Sequence, residues 1–397
     1  MNTLYAAAAK VDITPYLVHG TYLAGFGPNR LATGVLDPLT ARVLYLEDEN
    51  GPAVWIAADL IGFLLDDTDN LRRRLRAFAP ERVMICSTHT HSGPDTIGLW
   101  GPAVKGVPIK SGRAPEYMKW MSDQIVGAVR RAQNRKRPAV IGFGEETSDK
   151  SKWVVNIRRH GYNDKTMGVM RVDGVDGRPI ACLTNFACHP EILWEDNTKI
   201  SPDFVHHLHK RVEEETGAVS LFFNGALGGM VTGNLDDDTG YSERKSYYRK
   251  MGGALGELAA STWDTVQPAP VKQIIHRTKR LWVSIENPHF LFMTNLGLFE
   301  RKLQRNEIET SIDFWQIGSA QFVTMPGEAL PSVGFAVKDR MGGDPNFLFG
   351  LANDEVGYIL STTEAADPNY KYERSMSLGP VATEMFLDTI ASLVSDK

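Results

Sequence analysis

Each feature that is scarce in this sequence removes a class of protein. The chain of 397 residues has only three cysteines, Cys86, Cys182 and Cys188, all inside apolar strand-like runs. An odd number without paired spacing excludes a disulfide framework and a zinc ribbon, and suits reduced thiols in a cytoplasm. No apolar stretch approaches the ~20 residues needed to span a bilayer. The opening residues 1–10 have neither a basic start nor an apolar core of leader length, so export is not expected. Long blocks of single-sign charge are missing too: the net charge is -5 with 23% charged residues, which argues against nucleic acid as a partner. The densest basic segments, Leu71-Arg72-Arg73-Arg74 and residues 130–137, read as solvated helix ends. There is no internal repeat, low-complexity linker or Pro/Gly-rich hinge. What remains, 43% of it hydrophobic, is the composition of an ordinary globular protein.

Short apolar runs bounded by turns at 41–46, 53–58 and 82–86 read as strands, and 68–78 between the last two has helical periodicity. A strand, helix, strand alternation implies at least partly parallel pairing. Further helices are expected at 114–133, 202–215, 242–263, 328–339 and 378–394. Further strands are expected at 138–145, 168–174, 180–187, 218–223, 272–284, 311–324 and 346–350. The simplest arrangement is a single α/β domain over 1–397, built on a mixed, partly parallel β-sheet flanked by helices. Nothing in the sequence sets an oligomeric state.

The candidate chemistry sits where strands run out, which is where open α/β sheets tend to present ligands. Ile85-Cys86-Ser87 leads into Thr88-His89-Thr90-His91-Ser92-Gly93-Pro94, Phe186-Ala187-Cys188 into His189-Pro190, and Val323-Thr324-Met325 into Pro326-Gly327-Glu328. Two histidines at i and i+2 on extended backbone point to the same side, about 7 Å apart at Cα. Such imidazoles can converge on one zinc, or one can bind metal while its neighbour faces the reacting group. The plainer alternative is a polar strand end whose histidines bond to backbone. His189 alone reads as structural and gains weight only beside His89. Asp203 either caps the helix expected at 202–215 or holds a liganding imidazole through its second nitrogen. His206, His207 and His209 are expected on that helix's wet face. Glu328 is either an acid welcomed at a helix start or a carboxylate ligand arriving at the same sheet edge. Residues 234–240 read as a solvated turn rather than a calcium loop.

Taken in order, these segments resemble the amidohydrolase domain of the neutral/alkaline non-lysosomal ceramidase family. The likeness is carried by Asp12-Ile13-Thr14-Pro15, Ala24-Gly25-Phe26-Gly27, Thr88-His89-Thr90-His91-Ser92-Gly93-Pro94 and Cys188-His189-Pro190. It continues through Ile200-Ser201-Pro202-Asp203, Asn224-Gly225-Ala226, Pro326-Gly327-Glu328, Asn353-Asp354-Glu355-Val356-Gly357-Tyr358 and Tyr372-Glu373. In that family a single zinc is held by two histidines, a glutamate and a tyrosine, which implies His89, His189, Glu328 and Tyr358 here. The resemblance further implies His91 and Tyr372 at the reacting carbonyl. It places an arginine near the substrate oxygen within Asn156-Ile157-Arg158-Arg159, where a one-residue difference in spacing leaves Arg158 and Arg159 both open.

The implied chemistry is amide hydrolysis by a metal-activated water on a small or lipid-like substrate. An ester, lactone or carbohydrate-linked bond at the same site, or a binding protein without turnover, are the alternatives. Two departures bear on the substrate. Where the family has Gly-Asp-Val-Ser-Pro-Asn, this chain reads Gly228-Gly229-Met230-Val231-Thr232-Gly233-Asn234. No carboxyl-terminal β-sandwich like that of the ceramidases is expected. The expectation is a substrate smaller or more polar than ceramide, such as an N-acylated amine, an amino sugar or a carbohydrate-linked ester.

Overall fold

The computed structural model describes residues 3–147, 152–298 and 301–396. A large sheet is built from β1 (Tyr5–Asp12), β2 (Thr40–Asp48), β3 (Gly51–Ala58), β4 (Val83–Ser87), β5 (Arg137–Thr147), β6 (Thr166–Gly174), β7 (Pro179–Phe186) and β8 (Val219–Asn224). Their order across the sheet is β8-β7-β6-β5-β1-β2-β3-β4. The pairs β3–β4 and β7–β8 are parallel and the other neighbours antiparallel, so the mixed, partly parallel sheet expected from the sequence is present. A second sheet holds β9 (Ile274–Ser284), β10 (Glu307–Ile317), β11 (Ala320–Thr324) and β12 (Asn346–Phe349), in that order, with only β11–β12 parallel. The helices that matter for packing are α1 (Leu65–Arg74), α2 (Pro115–Asn134), α3 (Phe204–Thr216), α4 (Tyr241–Thr265), α5 (Pro331–Lys338) and α6 (Pro380–Ser395).

Side-chain alternation gives the large sheet two apolar faces. Leu44, Leu46, Trp55 and Met84 turn toward the second sheet and meet Trp315, Phe322 and Phe347, with the Trp55 and Phe322 rings 5.0 Å apart. Val43, Tyr45, Val54 and Ile56 turn the other way, onto Met121, Ile125 and Val129 of α2. Further along, Val169, Cys182 and Phe222 pack on α3 and α4. The outer face of the second sheet, with Val283, Ile312 and Val323, is covered by α5 and α6. The layers therefore run helices, sheet, sheet, helices. Strands buried on both faces read as continuous apolar runs, as 41–46 and 53–58 do.

The large sheet curls until its ends meet. Asn224, closing β8, donates from Nδ2 to the Thr88 carbonyl just past β4 (3.0 Å) and to the Cys188 carbonyl just past β7 (2.8 Å). The segment after β12 fills the seam: Ala352 bridges Cys86, and Ser87 N–H donates to the Leu351 carbonyl at 3.2 Å. This closure carries two strand ends from distant parts of the sheet to one place.

Several sequence expectations need correction. Residues 311–324 form a hairpin instead of one strand, because Gly318, at φ 60°, and Ser319 make a two-residue turn between β10 and β11. The helix expected at 328–339 begins at Pro331, since Glu328–Ala329 pairs in parallel with Tyr358–Ile359. Arg72 is buried, with Nε and Nη2 donating to the Val83 carbonyl, so the 71–74 segment is not all surface. His209 is buried as well, its Nδ1 2.8 Å from Ser220 Oγ, so α3 does not carry all its histidines on a wet face. Among the described residues no helix is long and apolar enough to cross a membrane.

Candidate metal centre

His89 stands two residues beyond β4 in the left-handed region, at φ 74°. For a residue with a Cβ this conformation costs on the order of 1–3 kcal/mol. Tertiary hydrogen bonds hold it there: Thr88 N–H donates to the Ala58 carbonyl and His89 N–H to the Leu60 carbonyl, each at 2.9 Å. The ring continues the pattern, with Nδ1 2.7 Å from the Ile61 carbonyl. His189 repeats the arrangement beyond β7, its backbone N–H and Nδ1 both addressing the Val231 carbonyl, at 2.8 and 3.1 Å. A carbonyl only accepts, so each Nδ1 carries a proton, and in the neutral ring each Nε2 keeps a lone pair.

Both Nε2 atoms converge on one carboxylate oxygen. Glu328 Oε2 lies 2.9 Å from His189 and 3.5 Å from His89. Glu328 arrives from the second sheet, and its register partner across the short parallel ladder is Tyr358, which places the two side by side. Two lone pairs against an ionised carboxylate are acceptors only, and at 2.9 and 3.5 Å no water fits between them. Such a cluster requires positive charge at its centre, from a proton or a metal ion. Ligand atoms held tetrahedrally at ~2.0–2.2 Å from a metal lie about 3.3 Å apart, a spacing that the two N···O distances straddle. The donor set of two neutral imidazoles and a carboxylate, with a phenol beside it, therefore fits a metal ion. His91 adds a third imidazole, and the three rings offer nitrogens within 4.8 Å of one another.

The electrostatics show the same demand for positive charge at the centre. Burial opposes ionisation of Glu328, yet the imidazoles of His89 and His189 outweigh it and hold its carboxyl well below the usual range. Burial also opposes charge on His189, but the carboxylates of Glu191 and Glu328 push it up to about 9. His91 goes the other way: burial first, then repulsion from His89 and His189, keeps it well below the usual imidazole range and neutral.

His91 Nδ1 lies 3.1 Å from Glu191 Oε2, but the two are not aligned as a hydrogen bond, and neither ring nitrogen has a partner among the described residues. The ring packs edge-on against Phe26, 5.1 Å away, and over Gly25. Gly25 is at φ 103°, and a Cβ there would come within 2.3 Å of His91 Cγ. Gly25→Ala is thus expected to displace His91 while leaving the Glu328 cluster intact. For a ring serving the chemistry proposed below, a displacement of about 1 Å costs on the order of 100-fold in rate. The check is kcat together with metal content: lost metal, or unchanged kcat, would contradict this placement.

The cluster opens into a narrow cavity of about 50 Å³. Its apolar walls are Ile61, Ile97, Leu99, Trp100, Phe290 and Met376, and His89, His91, Glu328, Glu355, Tyr358 and Tyr372 supply its polar groups. Tyr358 is buried, and burial followed by the Glu328 charge pushes its pKa well up. Tyr372, 46% exposed as a whole residue, has its ring 5.8 Å from that of Tyr358. Enclosure of its hydroxyl, then Glu328 and Glu191, raises it to about 12. Arg158 and Arg159 part company here. Arg158 Nε donates to Glu373 Oε1 at 2.7 Å, next to Tyr372, whereas Arg159 lies over the Tyr162 ring at 4.0 Å. Neither arginine lines the cavity.

Asp203 is a cap and a loop clamp. Its carboxylate accepts from Phe204 N–H at 2.6 Å and Leu193 N–H at 2.9 Å. The second nitrogens that it was a candidate to hold are taken by the Ile61 and Val231 carbonyls, so that alternative is withdrawn. The Gly228–Asn234 segment, a departure in sequence, serves the centre directly. Val231 orients His189, and a Cβ on Gly228 would meet the Glu328 carbonyl at 2.4 Å. Sequence reasoning missed Glu191 and Glu355. The only available signal for Glu191 was its place two residues after His189.

Fold and site together define a mixed α/β protein with a buried histidine–carboxylate centre able to hold a metal ion. Two curated relatives match part of the chain: neutral ceramidase B of Dictyostelium discoideum, 26% identical over 219 residues, and neutral ceramidase A of the same organism, 25% identical over 210. The matches take in 49% and 46% of this chain but only 30% and 28% of those relatives, less than a third of their length. Among solved structures, neutral ceramidase from Pseudomonas aeruginosa has a TM-score of 0.77 at 18% identity, and a ceramidase complexed with C2 has 0.75 at 16%. Each covers 99% of this chain and 75% of the other, and at these identities the likeness is one of fold. No protein-family model matches the chain. In sequence and fold the chain is neutral ceramidase-like.

Proposed function

We propose that this protein is a zinc-dependent hydrolase, acting as one domain, that cleaves the amide bond of a compact N-acyl substrate. The observation that carries the reading is the convergence of the His89 and His189 lone pairs on Glu328, with both Nδ1 atoms already committed to carbonyls. His89, His189, Glu328 and Tyr358 would hold the ion. When bound, zinc supplies a Lewis acid for the scissile carbonyl and brings the pKa of water towards ~7. The chain's own residues do the rest. His91, neutral and beside Glu191, is suited to take up a proton and pass it to the leaving nitrogen. Tyr372 keeps its hydroxyl proton at neutral pH and donates to the developing oxyanion, with Arg158 fixing Glu373 beside it.

The apolar walls suit an acyl group, and a cavity of about 50 Å³ suits a short one. The relatives' names point to ceramide for those proteins; for this chain a shorter amide fits the space better. The test is a panel of N-butanoyl amines, acylated sugars, lactones and ceramide. Short amides are expected to be cleaved, with activity lost on chelation and restored by zinc. Activity indifferent to chelation would contradict the metal, and more efficient cleavage of ceramide would contradict the size argument.

A further inference from the structure

One carboxyl in the cavity has no place in the chemistry above. Glu355 is buried in a wall otherwise formed by Ile97, Leu99, Trp100 and Phe290. Its Oε1 accepts from Gly357 N–H at 2.9 Å, whereas Oε2 is enclosed and has no hydrogen-bond partner among the described residues.

The residue is held firmly. Its N–H donates to Asp354 Oδ1 at 2.9 Å, and its carbonyl accepts from Arg301 Nη2 at 2.6 Å. Arg301 is itself ion-paired with the buried Asp354. Gly62 backs the side chain so closely that a Cβ there would lie 2.9 Å from Glu355 Cβ. The acid is thus fixed against the wall while one oxygen stays unmatched. Buried polar atoms are otherwise almost always paired, and an apolar pocket with a few placed polar groups is how small-molecule sites set orientation and specificity.

We infer that Glu355 selects the substrate, its Oε2 forming a hydrogen bond with an O–H or N–H group that the substrate carries beyond the scissile amide. The inference rests on the amide-hydrolase reading and narrows it to N-acyl compounds bearing a donor, such as amino alcohols, amino sugars or diamines. A substrate without that donor leaves Oε2 unpaired in the complex, and sites built to hydrogen-bond a substrate group reject the analogue lacking it.

Three matched probes test this on the full chain with its zinc: N-butanoyl ethanolamine, N-butanoyl ethylenediamine, and N-butanoyl propylamine, which lacks the donor. Binding is read by calorimetry, turnover by released amine, and each variant is checked for zinc content and unfolding midpoint. The wild type is expected to bind one or both donor-bearing probes about 10- to 100-fold more tightly than the propyl compound, as for a hydrogen bond to a charged or polarised group. Preference for the hydroxyl arm identifies an alcohol and preference for the ammonium arm an amine. Glu355→Leu is expected to abolish the ratio with zinc retained. Glu355→Gln, which keeps a carbonyl acceptor, is expected to preserve the hydroxyl preference and lose the ammonium one. Equal affinities in the wild type, an unchanged ratio in Glu355→Leu, or no binding of any probe would overturn the inference. Cleavage of all three without preference would overturn it while leaving the hydrolase reading standing; preferential binding without cleavage would do the reverse.

Discussion

His89→Ala is expected to lose its zinc and to hydrolyse amides about 1,000-fold or more slowly than the wild type. The loss is large because two things go together. One of the two proposed nitrogen ligands disappears, and with it the polarisation of carbonyl and water that a bound metal would contribute, a matter of several kcal/mol at the transition state. What remains is His189 against Glu328 at 2.9 Å, a pair that already favours a proton on His189, whose pKa is pushed up to about 9. That proton competes with the metal, so zinc affinity is expected to weaken as pH falls below about 9, in the variant and in the wild type. Alanine at φ 74° leaves open an explanation through backbone strain. His89→Asn removes it, since asparagine adopts that region more readily, and it is expected to lose zinc equally. Retention of zinc by a folded His89→Asn protein would sink the ligand assignment.

Asn224→Ala is expected to cost about 3 kcal/mol or more in stability and to weaken zinc binding about 10- to 100-fold. Asn224 is fully buried. Its amide donates to the Thr88 and Cys188 carbonyls, and its Oδ1 accepts from Cys188 N–H at 3.0 Å and Gly225 N–H at 3.1 Å. Truncation strands several buried backbone groups at once, each worth about 1–3 kcal/mol. It also unties the segment carrying His89 from the one carrying His189, and loss of groups that orient ligands typically costs that much metal affinity. The urea midpoint and a competitive zinc titration check the two parts separately. Weakened zinc binding with undiminished stability would still place Asn224 at the centre, whereas no change in either would contradict the closure of the sheet described above.

What the sequence made legible follows from local physics. Apolar runs bounded by turns located most strands and helices to within a few residues, because both depend on neighbours close in the chain, but β1 was not among them. The tight junctions after Ser87, Cys188 and Met325 exposed His89, His189 and Glu328 as candidates, because polar residues following apolar strands stand out by contrast. The hidden part depended on closure over long distances. Nothing near position 224 shows that its side chain joins the ends of β4 and β7. Nothing in Asn353-Asp354-Glu355 tells which acid pairs with Arg301 and which lines the cavity with a free oxygen. Asp203 had two readings of equal standing until the carbonyls of Ile61 and Val231 were found at the imidazole nitrogens. The hairpin within 311–324 had one local signal, the Gly318-Ser319 pair between two strand-like runs.

Metal analysis of the purified chain tests the central claim most directly. About one zinc per chain is expected, retained through gel filtration and lost in His89→Asn. Far less than one zinc per wild-type chain, with none taken up when zinc is added, would contradict it.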